Sequence, residues 1–215
     1  MDLHDHGVAA DLVVERAAPS KLVLRVAQSQ DVGLIVTGMA RTDPLERMLT
    51  GTTADEVLRV AAIPFLVVRQ RARQAYRKIL VATDLSACSR AALRTALRYF
   101  RDPDFTLFHT FDVPYAGFVE GDKRKEAFAA EAWDECSQFL VDADLPDGLD
   151  ETIRVVVEQG SKGWLLRDYV RHANIDLAVL GRHGRGRLLD LILGSTASWI
   201  MQFAPCDVML VPKLT

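Results

Sequence analysis

The sequence is poor in features that mark exported or membrane-bound proteins. It has three cysteines among 215 residues, and these are widely spaced and odd in number. Such a set fits free thiols in a reducing compartment and argues against a disulfide framework or a zinc site. No apolar run is long enough to span a bilayer, and the first residues lack the apolar core of a secretory signal. We therefore expect a cytoplasmic protein.

The chain also has no excess of positive charge. Its 26 Lys and Arg residues against 29 Asp and Glu give a formal net charge of −3. This balance argues against non-specific electrostatic binding to nucleic acid or to an acidic membrane. With 49% hydrophobic and 26% charged residues, the composition is that of an ordinary globular protein.

What the chain does contain is an internal repeat. Gly38 recurs as Gly181 and Gly51 as Gly194, each 143 residues later, and flanking apolar runs recur at the same offset. Because no gap is needed, chance similarity is a poor explanation, and a repeat of this kind indicates the architecture.

The repeat divides the chain into two copies, which we expect to be two domains. Residues 73–215 form a complete copy of 143 residues, whereas residues 1–70 (the partial copy) correspond to its second half. Expected strands of the complete copy are 78–82, 105–111, 152–157, 176–180 and 207–211; expected helices are 89–100, 123–143, 163–173 and 195–203. Strands that alternate with helices predict an α/β fold with a doubly wound, five-stranded parallel sheet. The partial copy predicts strands at 12–15, 33–37 and 65–68 and helices at 20–28 and 52–61.

A glycine-rich loop is the most informative stretch of the complete copy. Residues 181–184 read Gly-Arg-His-Gly, and residues 194–196 read Gly-Ser-Thr after nine further positions. The loop follows a strand and opens a helix, where unpaired backbone N–H groups and the helix dipole favour a phosphate. Glycines alone would equally fit a plain connection with solvated arginines, because short glycine patterns match often.

A second element strengthens the prediction of a ligand site. Asp84 ends the first strand of the complete copy. In a doubly wound sheet the first and fourth strands are neighbours, and ligands bind at their carboxyl ends. The Asp84 carboxylate would then face the glycine loop and could accept hydrogen bonds from a ribose or an adenine, besides capping the following helix.

Together, Thr-Asp at the end of the first strand, His109 in the second and the Gly-x2-Gly-x9-Gly-Ser motif resemble the universal stress protein family. The resemblance covers residues 77–212 in full and residues 11–69 in part, and implies an adenine nucleotide alpha hydrolase-like fold. The glycine motif is similar to that of the ATP-binding branch. It implies a site for ATP or a related adenine nucleotide, with Mg²⁺ as an option.

The resemblance also implies the residues of the site. Carried over by position, they are Ala82, Thr83, Asp84, Thr110, Leu180, Gly181, Gly184, Arg185, Gly194, Ser195 and Thr196. Ala82 and Asp84 would lie against the nucleoside. Thr110 takes a place beside the base where the family often has valine. In the partial copy Arg41 replaces the second glycine, so we expect that copy not to bind.

The residues leave three functions open. The first is a nucleotide-binding regulatory protein of the stress response that docks a protein partner; the others are a scaffold with an empty site and an adenylating enzyme. No Ser-His-Asp set, carboxylate pair or P-loop lysine is evident, so we expect at most slow, incidental hydrolysis.

The family resemblance implies one further expectation, about assembly. Members of the family commonly dimerise along the fifth strand, so residues 65–68 and 208–211, the fifth strands of the two copies, can pair within one chain. The fourth strand of the partial copy, residues 33–37, then lacks a neighbour on its other side, and an apolar open edge invites another chain. We expect a homodimer through residues 1–70.

Overall fold

A computed structural model describes residues 9–38, 53–69, 74–113, 121–146, 148–183 and 193–213. The strands are β1 (Ile35–Gly38), β2 (Phe65–Val68), β3 (Lys78–Thr83), β4 (Asp104–Phe111), β5 (Arg154–Gln159), β6 (Leu177–Gly181) and β7 (Asp207–Val211). The helices are α1 (Pro19–Ser29), α2 (Thr53–Val60), α3 (Ala87–Tyr99), α4 (Gly121–Val141), α5 (Lys162–His172) and α6 (Ser195–Phe203). A short 3-10 turn, Asp150–Thr152, precedes β5.

The described strands form one sheet in the order β1-β2-β7-β6-β3-β4-β5. The five strands of the complete copy are all parallel, and β3 lies between β6 and β4. This confirms the α/β fold with a doubly wound parallel sheet. It also confirms that the first and fourth strands of the complete copy are neighbours.

The sheets of the two copies join through β2 and β7, the one antiparallel pair among the described strands. Phe65 lies opposite Leu210, Leu66 opposite Met209 and Val67 opposite Val208. The predicted pairing of the two fifth strands within one chain is therefore confirmed.

Apolar side chains pack on both faces of the sheet because successive residues of a strand point to opposite sides. In β3, Leu80 packs with α2, α5 and α6, whereas Ile79 and Val81 pack with α3 and α4. All three side chains are fully buried. The apolar core on the Leu80 face of the sheet also contains Val57 and Leu58 of the partial copy, so the two copies share a core.

The predicted strand at residues 12–15 is wrong. These residues have no regular secondary structure, and Leu12 is 89% exposed. Their repeat equivalents in β5 are held by β4, where Leu107 pairs with Val155 and Thr110 with Glu158. Among the described residues the partial copy has no counterpart of β4, and a strand without a neighbour has no partners for its backbone groups.

Cys88, Cys136 and Cys206 are free and buried, and burial raises the pKa of the Cys136 and Cys206 thiols to about 12. Among the described residues, no helix is long and apolar enough to cross a membrane.

Candidate functional site

A crevice of about 300 Å³ opens at the carboxyl ends of β3, β4 and β6, beside the first turn of α6. This volume lies at the lower end of the range of about 300–1,000 Å³ for small-molecule sites. It is lined by Ala82, Thr83, Asp84, Ser89, Phe108, His109, Thr110, Lys162, Leu166, Leu180, Gly181, His183, Gly194, Ser195, Thr196 and Ala197.

The crevice brings together nine of the eleven residues predicted from the sequence. The other two, Gly184 and Arg185, lie outside the described residues. The nine come from four segments of the chain, at the ends of β3, β4 and β6 and at the start of α6, and they meet because β3 lies between β4 and β6.

Asp84 lies in a tight turn between β3 and α3. Its Oδ1 accepts a hydrogen bond from the Ser86 backbone N at 3.2 Å. Ser86, not Asp84, is the N-cap of α3, and its hydroxyl accepts from the Ser89 backbone N at 3.2 Å. Leu85, between them, has a φ of 61°. Asp84 therefore stabilises the turn that precedes α3, whereas Ser86 caps the helix directly.

Buried hydrogen bonds fix the wall next to this turn. The Thr83 hydroxyl lies 2.9 Å from the Ser89 hydroxyl and accepts from the Leu85 backbone N at 2.9 Å. His109 Nδ1 lies 3.0 Å from the Thr83 carbonyl oxygen, and both side chains are buried. Buried polar groups that satisfy one another hold a wall in one shape.

The opposite wall is the start of α6. Gly194 is the N-cap and, among the described residues, no side chain caps this helix. The first turn contains no acidic residue. Ser195 and Thr196 add hydroxyl groups at the same end. Unpaired N–H groups and the positive end of the helix dipole suit an anionic group of a ligand.

The sequence prediction missed Lys162 and Leu166 on α5, which complete the crevice. Lys162 is the first residue of α5 and exposed, so its ammonium group adds positive charge at the mouth. Leu166 is 1% exposed and contributes an apolar surface. Lys162 lies shortly after the end of β5, on the carboxyl side of the sheet, and this position was the signal that could have identified it. His183 is buried and also lines the crevice.

Two close contacts at glycines fix how elements around the crevice pack, namely β6 against α3 and α5 against α6. A Cβ at Gly181 would lie 2.9 Å from both the carbonyl carbon and the Sγ of Cys88, so β6 approaches α3 at that point. A Cβ at Gly163 would lie 2.8 Å from Trp199 Cδ2, so the start of α5 lies against α6. Both glycines permit contacts that a larger residue would prevent.

Fold and crevice together define an α/β protein with a crevice of small-molecule size at the carboxyl ends of parallel strands. The model of the universal stress protein family matches residues 1–69 and residues 75–212. The chain belongs to the universal stress protein family, which confirms the resemblance seen in the sequence.

Individual relatives agree with this assignment. The chain is similar to a universal stress protein from Mycolicibacterium smegmatis, 26% identical over 220 residues, covering 96% of this chain and 70% of that protein. It is also similar to the universal stress protein Sll1388 of Synechocystis, 24% identical over 155 residues, covering 63% and 97% respectively. A solved universal stress protein from Archaeoglobus fulgidus shares the fold at a TM-score of 0.65 and 18% identity, covering 98% of this chain and 71% of that chain.

Proposed function

We propose that this protein binds one adenine nucleotide, ATP or a close relative with or without Mg²⁺, in the complete copy. The observation that carries the proposal is the crevice, in which an apolar wall, a carboxylate and an uncapped helix start converge. Residues 1–70 and 73–215 then act as two domains, of which the second binds.

The lining suggests how the ligand would lie. Ala82, Thr110 and the carboxylate of Asp84 would face the nucleoside, with Phe108 and Leu166 nearby as apolar surface. The phosphates would lie across the start of α6, with Lys162 as an additional cation. Positive groups at one end and apolar groups at the other match the chemistry of a nucleotide.

The biological role that follows is regulatory. Nucleotide occupancy would change the surface that the protein offers to a protein partner in the stress response. The three buried free thiols support a reducing, cytoplasmic location. Mass spectrometry of small molecules released from the purified protein would identify the natural ligand.

Two substitutions should weaken ATP binding by different routes. Asp84→Ala removes a carboxylate that faces the nucleoside, and we expect a loss of about tenfold in affinity, the effect of one hydrogen bond of about 1.4 kcal/mol. Gly194→Val places a branched side chain at the helix start and should weaken binding at least as much. Titration calorimetry measures both.

Asp102→Ala is the matched control because Asp102 is an exposed aspartate outside the crevice. It should bind ATP like the parent chain. If Asp84→Ala and Gly194→Val are folded and both bind ATP like the control, the nucleotide does not bind in this crevice.

We also propose that two copies of this chain associate along β1. The repeat equivalent of β1 is β6, which is paired on both sides, with β7 and with β3. Among the described residues β1 pairs with β2 alone, and Val36 in that strand is 57% exposed. The β1 edges of two chains can pair about a two-fold axis, which would continue the sheet as the antiparallel β2–β7 pair already does.

Sedimentation equilibrium tests this association. We expect the parent chain to be a dimer and Val36→Lys to be a monomer, because a lysine on an edge strand opposes pairing. Val60→Lys is the matched control, since Val60 is 58% exposed on α2 of the same copy. A parent chain that stays monomeric at high concentration, or a Val36→Lys variant that remains dimeric, would contradict the proposal.

A further inference from the structure

Arg182 links the partial copy to the nucleotide crevice. It directly follows β6, where its backbone N donates to the Val211 carbonyl at 2.8 Å. Its own carbonyl accepts from the backbone N of Gly194, the N-cap of α6, at 3.0 Å. The backbone of Arg182 therefore connects β7 to the start of the helix that faces the crevice.

The side chain of Arg182 extends in the other direction, into the partial copy. Its Nη1 donates to the carbonyl oxygens of Leu58 at 2.8 Å and Ala61 at 2.7 Å. These carbonyls belong to the C-terminal end of α2, where the helix dipole is negative and a guanidinium is favoured. One cation thus satisfies two acceptors at the end of a helix that belongs to the other copy.

The same guanidinium also reaches the crevice wall. Arg182 Nε donates to His183 Nε2 at 3.0 Å, and His183 is a buried lining residue. Arg182 itself is not among the residues that line the crevice. Arg182 contacts two lining residues, His183 through Nε and Gly194 through its own carbonyl oxygen. Its Nη1 is meanwhile bound to carbonyl oxygens of the partial copy.

We infer that Arg182 is a positioning residue through which the partial copy fixes the phosphate end of the nucleotide site. The inference rests on the proposed function, and it gives the partial copy a role in binding although none of its described residues lines the crevice. Since coupling between two sites is reciprocal, nucleotide bound in the crevice should in turn stabilise the contact at the end of α2.

The test compares Arg182→Met, which keeps the apolar stem without donors, with Arg182→Lys, which keeps the charge without the planar fork. The matched control is Arg98→Met, at an exposed arginine in the last turn of α3. We expect Arg182→Met to weaken ATP binding by at least about fivefold, the lower end of typical couplings. Arg182→Lys should recover only part of this loss. Full recovery by lysine would show that charge alone matters and would overturn the inference.

Hydrogen exchange separates this inference from the proposed function. Without nucleotide, Arg182→Met should speed exchange in peptides covering residues 57–66 and 193–200, relative to the parent chain and Arg98→Met. With ATP, the parent should gain protection at residues 57–66 and Arg182→Met should not. If the parent binds no nucleotide, the proposed function fails, whereas the nucleotide-free comparison still decides the contact. Unchanged exchange in both regions, or ATP affinity in Arg182→Met equal to the control, would overturn the inference.

Discussion

Asp207→Ala is expected to lower the free energy of unfolding by about 2–4 kcal/mol, measured by urea denaturation. Asp207 is 6% exposed and accepts hydrogen bonds from the Arg69 backbone N at 2.7 Å and the Tyr76 hydroxyl at 2.6 Å. Hydrogen bonds to a charged group contribute about 1.5–3 kcal/mol each. Removal of the carboxylate also removes the cost of burying its charge, so the net loss is smaller than the sum of the two hydrogen bonds. Arg69 and Tyr76 flank the connection between the copies, so this carboxylate holds both of its ends.

Tyr76→Phe isolates one of the two hydrogen bonds and should cost about 1–2 kcal/mol. Burial, followed by the hydrogen bond to Asp207, raises the pKa of Tyr76 above its usual 10.0. A raised pKa in the folded state means that the contribution is complete below pH 10 and is lost as the pH rises further. The parent chain should therefore lose stability relative to Tyr76→Phe above about pH 10. Equal pH dependence in the two, or a stable Asp207→Ala variant, would contradict this account of the connection.

Gly181→Ala should lower the free energy of unfolding by about 1–3 kcal/mol, the usual cost of overpacking. The added Cβ would meet the backbone of Cys88 at 2.9 Å, and backbone cannot move aside as a flexible side chain can. The start of α3 would have to shift away from β6. Denaturation without nucleotide measures this cost apart from any effect on binding.

The repeat supplies the control for this substitution. Gly38 is the equivalent of Gly181, and a Cβ there would meet nothing within 4 Å among the described residues. Gly38→Ala should therefore change stability by less than about 0.5 kcal/mol. Equal effects of the two substitutions would show that the close approach of β6 to α3 does not constrain the fold.

The order of the elements was predictable from the sequence for two reasons. Apolar periodicity is a local pattern, and the offset of the repeat can be counted directly. The β2–β7 pair was predictable from the repeat and the family resemblance, since both indicate the same two strands, the fifth strand of each copy. The strand at residues 12–15 was wrong for a physical reason. Its apolar residues satisfy a strand pattern, but a strand also needs a neighbour, and no pattern within four residues shows whether one is present.

The lining of the crevice was predicted where it depends on the glycine motif and on Asp84, and missed where it depends on packing. Lys162 and Leu166 reach the crevice because α5 lies against α6, a contact that Gly163 permits. The contacts of Arg182 with the partial copy were also missed, because the acceptors lie more than 120 residues earlier in the chain. Contacts between distant elements follow from the fold and not from local spacing.

The stoichiometry of ATP binding tests the central claim most directly. Titration calorimetry on the full chain should give one ATP for each chain, because the complete copy forms the crevice and the partial copy carries Arg41 in place of the second glycine. At 100 times the Kd, ATP should add about 2.7 kcal/mol of apparent stability. A stoichiometry near two would contradict the assignment of a single site to the complete copy, and an absence of binding by any adenine nucleotide would contradict the proposed function itself.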